Sequence, residues 1–272
     1  MNWQSIRVVM IKDIKEIGKN LQFWLPTVLV PLIMAVVLPV VVSLIFSRAP
    51  LNSLNTGSWN AMFKRMPEAL QNVFAGMTQR QAMVFIFANY LFKPFFLIIP
   101  VMVASIIAAN SFAGERERKT IESLFYTPVS DLELLMGKVL AAFVPSVAVS
   151  WLAFAAFVAA VDATSFPLFG RLILPTVPWV LLLALLVPAV SFLSLAITVL
   201  ISARVRGFQE AQQIAGALVV PILFLVFGQV IGLFILDAGA ILAITVVLAV
   251  LDYLLVKIGA QTFSRERVIT QL

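Results

Sequence analysis

Three observations predict an all-α, polytopic membrane protein with six transmembrane helices. The chain of 272 residues is 62% hydrophobic and only 12% charged, with mean hydropathy +1.05, too little polar surface for a soluble globule of this size. Apolar runs of roughly 20 residues or more, enough to cross a ~30 Å hydrocarbon core, recur along it. Its lysines and arginines sit in the short connections between those runs, where they orient a protein in the membrane rather than bind nucleic acid, despite a net charge of +6.

Residues 1–22 place Ile6, Val9, Met10, Ile14, Ile17 and Leu21 on one helical stripe, with Arg7, Lys12, Lys15, Glu16 and Lys19 off it, the pattern of an amphipathic helix lying in the membrane interface. The spread of charge and the lack of a small-residue cleavage site argue against a signal peptide. Residues 23–47 form the first span, and Pro26, Pro31 and Pro39 predict a bend. An external loop over 48–81 follows.

The apolar stretch 82–112 would be about 42 Å long as one helix up to Ala109, more than a bilayer core needs. It is therefore divided into an interfacial piece over 82–92 and a second span from Pro94 to Phe112, with Lys93 snorkelling at the boundary. One long tilted helix with Lys93 facing a cavity is the alternative.

Residues 113–138 are a dense island of charge. Ile121, Leu124 and Phe125 share one face of a short helix, Glu115 stands four residues before Lys119, and Pro128 ends the helix. Ser130-Asp131-Leu132-Glu133 is a capping box that starts a new helix, which runs directly into the third span, 139–161. A connection over 162–174 leads to the fourth span, 176–203. A smaller charged loop, 204–213, precedes the fifth span, 214–236. The sixth is 240–258, with Asp252 inside it, and 259–272 is a tail.

An even number of spans puts both termini on one side. Thirteen of the 19 basic residues fall on the side of the termini and the two charged loops, which predicts that side as cytoplasmic.

The order Glu115-Arg116-Glu117, Lys119-Thr120, Glu122, Leu124, Thr127-Pro128-Val129-Ser130, Leu135 and Gly137-Lys138 resembles the cytoplasmic loop of ABC-2-type transporter permeases, the membrane subunits of ATP-driven exporters. Ser202, Arg204, Glu210, Ala211 and Gln212 also resemble that family, as does the tail from Phe263 to Thr270, although Arg204, Arg206 and Glu210 equally fit an ordinary positive loop. The resemblance implies that the 113–138 loop is the coupling helix. Glu115, Arg116, Glu117, Lys119, Thr120, Ile121, Glu122, Leu124, Phe125 and Pro128 would then meet an ATPase, with Arg204, Arg206 and Glu210 as a second facing loop. It further implies two ATPase subunits, a second permease that is identical or related, and alternating access in a prokaryotic plasma membrane.

The chain carries no G-x-x-x-x-G-K-[ST] phosphate loop: Gly137-Lys138 is preceded by Leu134-Leu135-Met136 and followed by Val139. ATP and Mg therefore belong to the partner, and no cofactor, metal or catalytic residue is assigned to this chain. Without Cys or His, a membrane-embedded transferase would have only scattered carboxylates such as Asp162, Asp237 and Asp252 to work with. An ion-coupled secondary transporter would rely on intramembrane ionisable groups, for which Lys93 and Asp252 are the polar positions. Spans rich in Leu, Val, Ala and Phe suit membrane lipids as surroundings and a lipid, lipid-linked or amphipathic drug-like cargo.

Overall fold

The computed structural model describes residues 2–19, 21–48, 71, 73–118, 129–205 and 207–262, and every regular element among them is helical. Helix α1 (Trp3–Lys19) is followed by six helices long and apolar enough to cross a membrane. These are α2 (Leu25–Arg48), α3 (Gln79–Glu117), α4 (Asp131–Phe169), α5 (Val177–Ser202), α6 (Phe208–Val230) and α7 (Ala238–Thr262). Most of the 48–81 connection, residues 119–128, Arg206 and the tail from Phe263 lie outside the described residues.

Helix α3 is the axis of the bundle: 78% of its most apolar stretch is buried, against 6% for α7. Close approach is permitted by small side chains, as expected where lipid removes the usual hydrophobic drive between helices. Ala104, Ala108 and Ala109 of α3, Ala141, Ala142, Ser146 and Ser150 of α4, and Ser191, Ser194 and Thr198 of α5 are all buried. Ser194 donates to the Val101 carbonyl across the α3–α5 seam at 3.0 Å. An aromatic cluster fills the wider part of the core, with Phe92 stacked on Phe157 at 4.8 Å and Trp179 edge-on to Phe96 at 5.5 Å.

Prolines shape the spans without stopping them. Pro39, Pro94 and Pro188 each follow a π-helical stretch, Ile33–Val37, Phe87–Leu91 and Leu182–Leu186, the wider turn relieving the ring's clash with the preceding carbonyls. The expected division of 82–112 is accordingly not made. Helix α3 runs on through Lys93 and Pro94, because the backbone groups a proline sets free find partners on neighbouring helices.

Two other boundaries move. Asp162, expected to open a connection, lies within α4, where its Oδ1 accepts the backbone N–H groups of Ile173 and Leu174 at 2.9 and 3.3 Å. The returning chain is thus held by the helix, which continues to Phe169. Helix α6 begins at Phe208 and ends at Val230, six residues before the expected span at each end, so much of the small charged loop is helical. The capping box at Ser130 forms as expected: Glu133 N–H donates to Ser130 Oγ at 3.4 Å and Ser130 N–H donates to Glu133 Oε2 at 3.2 Å.

Candidate functional site

The charged residues flanking 119–128 are gathered at one end of the bundle, where α1, the last turn of α3 and the first turns of α4 meet. Helix α1 lies against α4, burying Ile6, Val9 and Ile17 together with Asp13. Its approach is set by Gly137. A Cβ on that residue would stand 2.7 Å from Val9 Cβ and 3.1 Å from the Ile6 carbonyl, so a side chain there would wedge the two helices apart.

The next residue, Lys138, is 3% exposed and uses all three ammonium donors. They go to Glu115 Oε2 at 2.5 Å, the Ser111 carbonyl at 2.7 Å and Asp13 Oδ2 at 3.5 Å. Ser111 Oγ donates to the same Asp13 oxygen at 3.0 Å. Lys12 Nζ meets Glu115 Oε1 at 2.9 Å. Glu16 stands 3.5 Å from both Lys12 and Arg118. Three acids, Asp13, Glu16 and Glu115, are thus matched by three bases, Lys12, Arg118 and Lys138.

Burial alone would depress the Lys12 ammonium, yet its pKa is raised above the usual lysine range by the hydrogen bond and charge of Glu115, with Asp13 adding to them. The three carboxylates come within 4.8 Å of one another, a spacing a divalent cation could use, but side-chain cations already balance them. The arrangement is an ion-pair clasp of three acids and three bases.

The described residues on either side of 119–128 are held at this end of the bundle. On one side Arg118 donates to the Gly114 carbonyl at 3.1 Å and to Asn110 Oδ1 at 2.8 Å. On the other, Glu133 accepts the backbone N–H of Asn2, which ties the start of α4 to the start of α1.

The small charged loop is drawn to the same place. Arg116 donates to the Ala203 carbonyl at 3.0 Å, satisfying a group at the C-terminal end of α5. Glu117 Oε2 accepts the Phe208 N–H at 2.9 Å, capping α6 from another helix and placing a negative charge at its positive end. Gly207 makes room for that cap, since a Cβ there would lie 2.6 Å from the carboxylate.

The sequence-derived site is therefore partly assembled and partly corrected. Arg116, Glu117, Arg204 and the 207–210 turn come together, with Glu117, Arg204 and Glu210 exposed. Glu115, one of the residues the resemblance would set against an ATPase, is 3% exposed and committed to the clasp. Lys119, Thr120, Ile121, Glu122, Leu124, Phe125, Pro128 and Arg206 lie outside the described residues. Asp13 and Ser111 carried no local signal. Lys138 did, through the Gly137-Lys138 pair, although nothing in the sequence shows whom it would meet.

At the opposite end a second polar network surrounds the bend in α3. Pro94 lacks an N–H, and the Tyr90 carbonyl four residues before it accepts Gln229 Nε2 at 2.9 Å. Trp179 Nε1 donates to the Ala88 carbonyl at 3.2 Å, and Thr176 Oγ1 bonds Asn89 Oδ1 at 3.0 Å. Lys93 does not snorkel outward. It is 1% exposed, donates to the Leu236 carbonyl at 3.1 Å and sits 5.0 Å from the Tyr90 ring. Asp252, the other intramembrane polar position, lies on α7, and its buried Oδ1 has no hydrogen-bond partner among the described residues.

A family model described as ABC-2 family transporter protein matches residues 7–259. The chain belongs to that family: it is a multi-pass membrane protein, the permease of an ABC transporter, whose class works with ABC ATPase subunits. No curated protein and no solved structure matches it.

Proposed function

We propose that this permease is half of an exporter in which two separate ATPases dock at the clasp end of the bundle and move a lipid, lipid-linked or other amphipathic cargo by alternating access. The observation that supports this most is the tie from Glu117 to the start of α6. It joins the two charged loops into one surface, so a single partner bearing on 116–128 would also bear on 204–210. ATP and Mg act on the partner, and a second copy or a related permease completes the pathway. Both termini then lie in the cytoplasm of a prokaryotic cell.

In this reading Ile121, Leu124 and Phe125 supply buried apolar anchors, while Glu122 and the neighbouring charges act at the rim. Anchors carry affinity and rim charges mainly affect association. Co-purification of the ATPase with Leu124→Ala, Phe125→Ala and Glu122→Gln permeases tests this. The first two are expected to weaken the complex by tenfold or more and the third by a few-fold at most. Equal binding by all three would remove the docking assignment. Pro128→Ala should leave the complex intact but lower ATP-dependent transport in vesicles, by joining the docking helix to the Ser130 helix. Transport driven by a proton gradient without ATP would instead favour the secondary-transporter reading.

A further inference from the structure

The side of α1 turned away from the bundle is ordered by chemistry. Going round the helix from the buried Ile6–Asp13–Ile17 stripe, one meets Met10, Trp3 and Ile14, then Arg7 and Ile11, then Lys15, Val8 and Lys19, and lastly Lys12 and Glu16. Trp3 and Val8 are 65% and 66% exposed. A shallow hollow of about 530 Å³ lies along this side, lined by Val8, Ile11, Lys12, Lys15, Glu16 and Lys19.

The charge on this side is one-signed where it is free. Glu16 is held by Lys12 and Arg118, and Lys12 by Glu115. Arg7, Lys15 and Lys19 are exposed and make no ion pair among the described residues. Three unmatched cations beside an exposed apolar flank suit a ligand that is anionic at its head and apolar below it.

We infer that this face of α1 binds anionic phospholipid selectively, with the acyl region against Trp3, Ile14 and Ile11 and the headgroup charge on Arg7, Lys15 and Lys19. Long basic side chains can lay their stems on the apolar flank while their heads reach the phosphate layer. Each cation near an anionic surface changes partitioning by roughly fivefold. Because Lys12 and Asp13 lock α1 to Glu115 and Lys138, lipid held here bears on the same rigid joint that flanks the 119–128 segment.

The test uses the full-length permease without any ATPase, so it can fail while the docking reading stands. The protein is placed in discs of phosphatidylcholine with a minor share of phosphatidylglycerol, and the lipid retained after mild detergent extraction is measured by native mass spectrometry. Several-fold enrichment of phosphatidylglycerol over its bulk share is expected. It should fall to the bulk share in the Arg7→Gln, Lys15→Gln, Lys19→Gln triple variant and return with Lys15 and Lys19 replaced by Arg. Arg171→Gln, at the opposite end, should change nothing.

Unchanged melting of the triple variant keeps the comparison free of misfolding, and a Lys15→Gln, Lys19→Gln variant serves if the triple variant does not fold. Parent protein showing no enrichment, or variants showing the same enrichment, overturns the proposal. So does displacement of the lipid by millimolar inorganic phosphate, which would mark a phosphate site.

Discussion

Lys138 at the start of α4 and Glu115 at the end of α3 face each other at 2.5 Å with both side chains almost fully buried, across the 119–128 segment that joins their helices. Breaking a buried pair by removing one partner commonly costs about 3–5 kcal/mol. Lys138→Met should therefore lower the yield and melting temperature of the detergent-purified permease sharply. Adding Glu115→Gln to it should recover part of the loss, because Asp13 and Lys12 then remain as the matched charges. A double variant no better than Lys138→Met would show that the pair is not coupled.

Gly137→Ala should force α1 away from α4, since the new methyl would meet Val9 at 2.7 Å. A cost of about 1–3 kcal/mol is expected for such overpacking. Val9→Gly, which removes the Cβ that the new methyl would meet, should recover part of it, so that in thermal melts the double variant loses less than the sum of the two single losses.

Gly207→Ala and Glu117→Ala should cost similar amounts, about 0.5–2 kcal/mol, because each removes the same cap on α6. The new Cβ displaces the carboxylate that the second variant deletes. The double variant is expected to be no less stable than the worse single one, and additive losses would separate the two residues.

Lys93→Met should behave unlike Lys138→Met. Lys93 is buried against a carbonyl and a ring, with the Asp237 carboxylate acting on it from beyond ion-pair distance, so an apolar side chain of similar length removes a desolvation cost while freeing one acceptor and the charge partner of Asp237. Its melting temperature is expected to equal or exceed that of the parent. With no native Cys in the chain, a single Ala88→Cys reporter can then show whether this end of the bundle has loosened. Higher labelling by a membrane-impermeant maleimide in the Lys93→Met background is expected, and unchanged labelling would mean that the bond to Leu236 does not hold that end closed.

The spans were legible because apolar run length is set by bilayer thickness, a constraint every segment meets on its own. The Ser130 cap was legible for the same local reason, its two bonds lying within four residues. What could not be read is what the chain brings together from afar. Asp13 is 125 residues from Lys138 and 98 from Ser111, and an acid amid Lys12, Lys15 and Glu16 looks like any solvated helix face. The boundaries at Lys93, Asp162 and Phe208 were misplaced because polar residues and prolines read as interruptions. Gln229, the Ile173 and Leu174 amides and Glu117 supply the missing partners from other parts of the chain, and none of them announces itself in the local sequence.

Helix α4 is fastened near both ends, at Lys138 by the clasp and at Asp162 by the amides of the returning chain. The rise of an α-helix puts those fastenings about 36 Å apart, so the rod behaves as a beam on two joints. A rotation of about 5° around its middle would carry each joint by roughly 1.5 Å in opposite directions. Work done at one face of the membrane would therefore arrive at the other as a sideways step of the chain at Ile173, with no side chain in between needing to change its rotamer.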